Sequence, residues 1–274
     1  MQHRRIAVCD WSLRPESPGE LPDALAACGL QAVQLGLVPV VENPAWATVP
    51  QMLRDAGIEI VSGMLAMVGE DYSTLESIKM TGGVRSDEAW SATRVRADKV
   101  ADCAAATDIS LVTCHGGFLP HEEGDERSIM LDRLREIAAL FHDRGVDIAL
   151  ETGQETADTL LDVLEELSAS DNAPRVGVNF DPANMILYGM GDPVAAIRRL
   201  RPWVRQVHVK DAVETGVPGT WGMEVPVGQG DVDWASFLAE VPDEIDLVIE
   251  REAGPSRVAD IIAAAKLVRE VIPC

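Results

Sequence analysis

The stretch DIALETGQETADTLLDVLEELSASDNAPRVGVNFDPAN, residues 147–184, decides the fold. Asp147–Glu151 is a short aliphatic run, Thr156–Ser168 has the spacing of an amphipathic helix, and Val176–Phe180 is a second aliphatic run. Most of the strand candidates are continuous apolar runs rather than alternating ones, as expected of parallel strands covered on both faces. The same unit recurs in both directions along the chain. Strands are predicted at Ile6–Cys9, Ala32–Leu35, Ile58–Ser62 and Ser110–Cys114 before it, and at Val204–Val209 and Asp246–Glu250 after it. Helical patterns separate them over Leu21–Cys28, Ala45–Ala56, Glu88–Ala106, Arg127–Arg144, Pro193–Leu200 and Trp234–Glu240, and Arg257–Val271 follows the last strand. Pro193 behind Asp192 and Trp234 behind Asp233 read as helix starts; Gly29, Gly57 and Gly145 read as helix ends. Strands and helices alternating in this way, eight of each, predict one α/β domain over residues 1–274, a single (β/α)8 TIM barrel. A doubly wound open sheet is the weaker alternative, since no Gly-x-Gly-x-x-Gly follows the first strand.

The bulk composition agrees. At 274 residues the chain suits one barrel, and 47% hydrophobic residues allow a sizeable core. Aromatics are only 4%, so that core must come from Leu, Val, Ile and Ala. The formal charge is −22, from 45 acidic and 23 basic residues, which repels phosphate backbones and anionic headgroups. Neither nucleic acid nor a membrane is therefore expected as a partner. Cys9, Cys28, Cys103, Cys114 and Cys274 are scattered, without a Cys-x-x-Cys pair, which fits a reducing cytoplasm. No apolar leader follows Met1 and no long apolar run appears, so neither a signal peptide nor a membrane span is expected.

Two connections exceed what a barrel needs: Met64 to Asp87 after strand three, and Ala212 to Asp231 after strand seven. Both leave the C-terminal ends of strands, the face where barrels keep their chemistry, so they are candidate covers for a substrate. The first holds Met64, Met67, Tyr72 and Gly82-Gly83; the second holds Trp221, Gly222, Gly228 and Gly230. Local packing of the Met and Trp side chains is the plainer reading.

Four late strands end on ionisable residues: Glu151 in Ala-Leu-Glu-Thr-Gly, Asp181 in Asn-Phe-Asp-Pro-Ala-Asn, His208 in Val-His-Val-Lys-Asp, and Glu250 in Val-Ile-Glu-Arg-Glu. In a barrel these positions share one mouth. Any one of them alone could be an ordinary ion pair or a polar strand end. Three converging carboxylates repel one another, and a divalent cation is the simplest way to neutralise them. Oxygen ligands with one imidazole suit Mn²⁺ or Mg²⁺ first, with Zn²⁺ or Co²⁺ also compatible.

These strings, with Gly228-Gln-Gly-Asp-Val-Asp-Trp234 added, resemble the xylose-isomerase-like superfamily, and within it the sugar isomerase and epimerase branch that includes tagatose epimerase and inosose dehydratase relatives. The resemblance is strongest from about Cys114 onward. It implies that Glu151, Asp181, His208 and Glu250 bind one metal ion. It further implies that Glu151 and Glu250 act as an acid–base pair on a small sugar or polyol, giving an epimer or an aldose–ketose pair; loss of a β-leaving group would instead make the enzyme a lyase or dehydratase. The candidate substrate-binding residues are His115, Asn184, Lys210, Arg251 and Trp11. His115 matches a pocket-lining position. Lys210 is expected to point outward or pair with an acid, with a substrate hydroxyl as the alternative. Arg251 would orient Glu250 or balance local charge, and Trp11 would floor the pocket. Many relatives carry histidine where Asn184 stands; asparagine is a poor metal ligand, which argues for a single metal. His3, His121 and His142 are given no role. An abasic-site endonuclease with a histidine-rich zinc cluster is disfavoured by five histidines, only two of them at strand ends, and by the charge. An idle barrel used for binding is the remaining rival. An unphosphorylated substrate is expected, because no Gly-rich cradle follows the last strands. Barrels of this sort often pair, so a homo-oligomer stays open.

Overall fold

The computed structural model describes residues 4–169, 174–217 and 219–272, so His3 and Cys274 lie outside it. Eight parallel strands close into a barrel: β1 (Ile6–Cys9), β2 (Ala32–Gly36), β3 (Glu59–Leu65), β4 (Leu111–His115), β5 (Asp147–Glu151), β6 (Val176–Phe180), β7 (Val204–Val209) and, after a small hairpin of β8 (Asp211–Val213) and β9 (Met223–Val225), β10 (Asp246–Ile249). Each strand neighbours its sequence neighbour, and β1 closes the ring by pairing with both β2 and β10. The predicted barrel is therefore present, with every predicted strand in place to within about three residues.

The helices outside explain the aliphatic composition. Ala157–Leu167, for example, is capped by the Thr156 hydroxyl and buries Leu160, Leu161, Val163, Leu164 and Leu167. Each such side chain contributes about 1.5–3 kcal/mol when buried. Asp192 and Asp233 cap the helices that begin at Pro193 and Trp234, and Gly29, Gly57 and Gly145 take positive φ after their helices, all as read from the sequence. Among the described residues no helix is long and apolar enough to cross a membrane.

Three differences matter. First, β3 runs on to Leu65, past the Ser-Gly that looked like its end; a Cβ on Gly63 would lie 2.4 Å from the Leu37 side chain, so glycine is there for close packing within the strand. Second, short helices at Asp10–Leu13, Leu37–Glu42 and Pro182–Tyr188 follow strands directly and another, Leu75–Thr81, lies within the first long connection, all too brief to show a period in sequence. Third, the barrel interior is not wholly aliphatic. The aliphatics fill the shell between strands and helices, while the lumen holds a small apolar group, Ala7, Cys9, Ala32, Val61 and Val248, beside the buried polar residues Gln34, Ser62, Thr113, Asn179 and Gln206. These polar side chains satisfy one another: Gln34 donates to Thr113 (2.8 Å), Ser62 donates to Gln206, and Gln206 donates to Asn179 (3.1 Å). The network lies directly beneath the candidate site.

Candidate metal and catalytic site

All four predicted metal ligands arrive at one point. Glu151 ends β5, Asp181 follows β6, His208 is the penultimate residue of β7, and Glu250 follows β10. One ligand atom from each lies within 4.8 Å of the others, and all four residues are buried. His208 Nδ1 faces Glu250 Oε2 at 3.4 Å, Glu151 Oε1 at 3.6 Å and Asp181 Oδ2 at 3.8 Å.

Local sequence explains why each points inward. Asp181 caps the helix Pro182–Tyr188: its Oδ1 accepts the Asn184 amide at 2.9 Å, which leaves Oδ2 for the centre. Thr152 pins that cap, its hydroxyl accepting the Asp181 amide at 2.8 Å and donating to the Asp181 carbonyl at 3.0 Å. Gly153 has φ +134°, and a Cβ there would fall 2.2 Å from the Asn184 Cβ. This close approach is what the Thr-Gly after Glu151 provides. The His208 ring is held from below, Nε2 donating to Gln34 Oε1 at 2.8 Å, and that hydrogen bond turns the Nδ1 lone pair toward the carboxylates.

The donor set fits a divalent cation. Asp181 Oδ2 and His208 Nδ1 are buried and have no hydrogen-bond partner, a costly arrangement unless something positively charged sits between them. The electrostatics point the same way. Burial pushes the His208 imidazole down, but Glu151 and Glu250 outweigh it and hold its pKa well above the ordinary value. Burial pushes Glu250 up, but Lys210 and His208 together hold it well below the carboxylate range. Glu151 is likewise lowered, burial being outweighed by His115 and His208, whereas burial leaves Asp181 raised despite Lys210. Three acids around one point, with Lys210 reaching two of them, make a group that could hold a cation.

A cavity of about 700 Å³ opens above the cluster, with apolar walls from both long connections and from the ends of the early strands. Met64, Tyr72 and Trp221 line it, as does Gly222, whereas Met67 packs in the core. Gly82-Gly83 fastens the first long connection: a Cβ on Gly83 would meet the Gly116 carbonyl group at 2.2 Å. The second is anchored by Asp211, whose carboxylate accepts the amides of Gly228 (2.8 Å), Gly230 (3.2 Å) and Val232 (3.3 Å) and the Trp234 indole N–H (3.0 Å). That is the structural meaning of the Gly228–Trp234 string.

The predicted substrate contacts divide. His115 lines the cavity with Nε2 3.9 Å from Glu151 Oε1 and its ring tilted against Tyr72. Asn184 donates to Glu151 Oε1 at 2.9 Å. Trp11 forms part of the wall, its indole N–H donating to Glu250 Oε1 at 2.8 Å. Lys210 does not point outward; it is buried, and its ammonium donates to Glu250 at 2.9 Å and to Glu252 at 2.6 Å. Pairing with an acid is thus the expectation that holds. For Arg251 the balancing of local charge is the expectation that holds, and the place in the substrate wall and the orienting of Glu250 are corrected. Its side chain is absent from the cavity wall and does not touch Glu250; it binds Glu224 at 2.6 Å and Asp260 at 2.9 Å, bracing β9 and the last helix. Successive side chains leaving a strand face opposite ways, so an inward Glu250 sends Arg251 outward. Sequence reading missed Asp10, Glu70, Glu224 and Glu252 in the wall and Gln34 and Asn179 beneath it. The two amides were detectable as polar residues inside apolar runs.

The model of the xylose isomerase-like TIM barrel family matches residues 22–271. The chain belongs to that family. Among curated proteins it is similar to a 3-dehydroshikimate dehydratase from Bacillus anthracis, 31% identical over 132 residues, 43% of this chain and 46% of that protein. The chain spans less than half the length of the curated relatives it matches. Among solved structures, a xylose isomerase domain protein from Planctomyces limnophilus superposes with TM-score 0.83 at 27% identity, covering 98% of this chain and 97% of that one. A D-allulose 3-epimerase from Methylomonas sp., in complex with D-allulose, superposes with TM-score 0.72 at 16% identity over 99% and 98% of the two chains, a likeness of fold. An epimerase thus shares the fold, and a dehydratase resembles part of the chain.

Proposed function

We infer that this barrel is a divalent-metal-dependent isomerase or epimerase acting on a small uncharged sugar. The observation that carries the reading is the convergence of Glu151, Asp181, His208 and Glu250 with Asp181 Oδ2 and His208 Nδ1 left unpartnered. These four residues would hold one ion, Mn²⁺ or Mg²⁺ by the hardness of three carboxylates. Such an ion supplies Lewis acidity, polarising a substrate carbonyl and acidifying the neighbouring C–H. The chain's own groups then move the proton. One of Glu151 and Glu250 takes it from carbon, and the other returns one, to the opposite face for an epimer or to the adjacent carbon for an aldose–ketose exchange. His115 beside Glu151 and Lys210 beside Glu250 favour the ionised form of each carboxylate, which suits whichever acts as the base; the one that returns a proton must enter the step protonated. Trp11 and Asn184 fix the two carboxylates in place by direct hydrogen bonds.

The charge of the wall supports an uncharged substrate. Besides Glu151 and Glu250 it carries Asp10, Glu70, Glu224 and Glu252, while among the described residues Lys210 is its one lysine or arginine and is already paired with Glu252 at 2.6 Å, Glu250 at 2.9 Å and Asp181 at 3.9 Å. A phosphate or carboxylate held away from the metal would meet these carboxylates with no lysine or arginine free to pair with it. A second reading, elimination of water from a keto-polyol, is favoured by the dehydratase relative. The test is metal content by elemental analysis, with Mn²⁺ titration of wild type, Glu151→Gln and His208→Ala, followed by incubation with D-allulose, D-fructose and keto-inositols. About one equivalent of metal, lost in the variants, and a product of unchanged mass support the isomerase. A product lighter by one water supports elimination. If wild type binds no Mn²⁺, the metal-dependent reading is wrong.

A further inference from the structure

Asp10 is a carboxylate in the cavity wall that neither the metal cluster nor the acid–base pair uses. It follows β1 and is the first residue of the single helical turn Asp10–Leu13. That turn is fastened from two sides: the Ser12 hydroxyl accepts the Arg251 amide at 2.9 Å, and Arg257 donates to the Trp11 carbonyl at 3.3 Å. One carboxylate oxygen is committed, Oδ1 accepting the Gly36 amide at 2.8 Å. No hydrogen bond of ordinary geometry reaches the other, Oδ2, among the described residues, although the Trp11 and Asp10 amides also favour the carboxylate, and Asp10 lines the cavity. The residue is 5% exposed, and that exposure faces the cavity beside Trp11, Gly36 and Pro39. Burial pushes its carboxyl up to about 6, with backbone amides opposing, and no charge of the metal cluster contributes. Asp10 is not one of the four clustered residues, it lines the same cavity, and it is mostly ionised at neutral pH.

A buried carboxylate with one free oxygen is a costly way to hold a turn, since an asparagine could accept the Gly36 amide equally well. What asparagine could not offer is a second acceptor turned into the cavity. Resting on the sugar reading above, we propose that Asp10 is a specificity-determining residue whose Oδ2 accepts a hydrogen bond from a substrate hydroxyl remote from the reacting carbons. The site thereby selects polyhydroxy substrates over their deoxy analogues, and the rigid turn presents the acceptor in a fixed place. A hydrogen bond to a charged acceptor changes affinity roughly 10- to 100-fold.

The test uses the full chain loaded with Mn²⁺, with D-allulose, D-fructose and their single-deoxy derivatives as probes. Binding is measured by calorimetry and turnover as separate kcat and KM, for wild type and Asp10→Asn. The expected result is an unchanged Tm and Mn²⁺ affinity, a Kd and KM about 10- to 100-fold higher in the variant, and kcat within a few-fold. For the one deoxy sugar lacking the recognised hydroxyl, wild type and variant should bind alike. Should the variant fold poorly, wild type alone decides: one remote deoxy position must cost about the same 10- to 100-fold. Equal affinity of wild type for every remote deoxy sugar, or an Asp10→Asn loss that is uniform across all of them, overturns the assignment. Failure of wild type to bind any of these sugars overturns the sugar reading and this assignment together.

Discussion

Replacing Gln34 with leucine should weaken Mn²⁺ binding about 10- to 100-fold while every ligand stays in place. Gln34 Oε1 accepts from His208 Nε2 at 2.8 Å, and Gln34 Nε2 donates to Thr113 at 2.8 Å, so both ends of the amide are oriented. Gln34, Thr113 and His208 are all fully buried. Leucine fills similar space but leaves the Nε2–H without an acceptor, at a cost of about 1–3 kcal/mol. In the neutral form that a bound metal requires, the ring can escape that cost by moving its proton to Nδ1. Asn179 Nδ2, 3.1 Å from His208 Nε2, also donates to Glu151 and so can only favour the escape. A proton on Nδ1 occupies the place where the carboxylates need a cation, so binding must first reverse the tautomer. A 10- to 100-fold loss corresponds to about 1.4–2.7 kcal/mol, the same range as the orphaned donor. Competition against a chelator of known Mn²⁺ affinity measures it, with Gln34→Glu as the control that keeps an acceptor. A Gln34→Leu variant with wild-type affinity would refute the claim that this hydrogen bond sets the tautomer.

Two other outcomes follow from buried carboxylates. Asp211→Ala strips the acceptor from three loop amides and the Trp234 indole; with partial relaxation into water we expect about 3 kcal/mol of lost stability, or roughly 5–10 °C in Tm, and a raised KM as the second long connection loosens. A Tm within about 2 °C of wild type would show that the anchor is unimportant. Glu155 is buried, which pushes its carboxyl up to about 8, so the folded state keeps a proton that the unfolded state has released. Its contribution is intact below the ordinary glutamate range and is lost as pH rises toward 8, by a total of up to a few kcal/mol. Glu155→Gln should therefore match wild type near pH 4.5 and exceed it in thermal stability at pH 8; parallel Tm profiles across that window would contradict this.

The strands, their parallel order and the four converging ligands were all present in the sequence. Strands covered on both faces are continuous apolar runs, and an ionisable residue at the end of such a run has few reasons to be there except chemistry. Closure then makes neighbours of Glu151, Asp181, His208 and Glu250 without any further information. The capping aspartates and helix-ending glycines were legible for the same reason, being local conformational signals. What the sequence could not decide was direction. Lys210 and Arg251 each lie beside a ligand, yet one turns in to Glu250 and the other out to Glu224 and Asp260. That choice depends on pleat, on irregularities such as the register shift at Val178/Asn179, and on partners such as Glu250 for Lys210 and Glu224 for Arg251, 40 and 27 residues away. Asp10 reads as one more polar residue after a strand, and only the cavity shows an oxygen left unused. Chain chemistry determined which residues meet at the mouth; the packed barrel decided which atoms of them face the substrate, because orientation is set by non-local contacts that no short window of sequence contains.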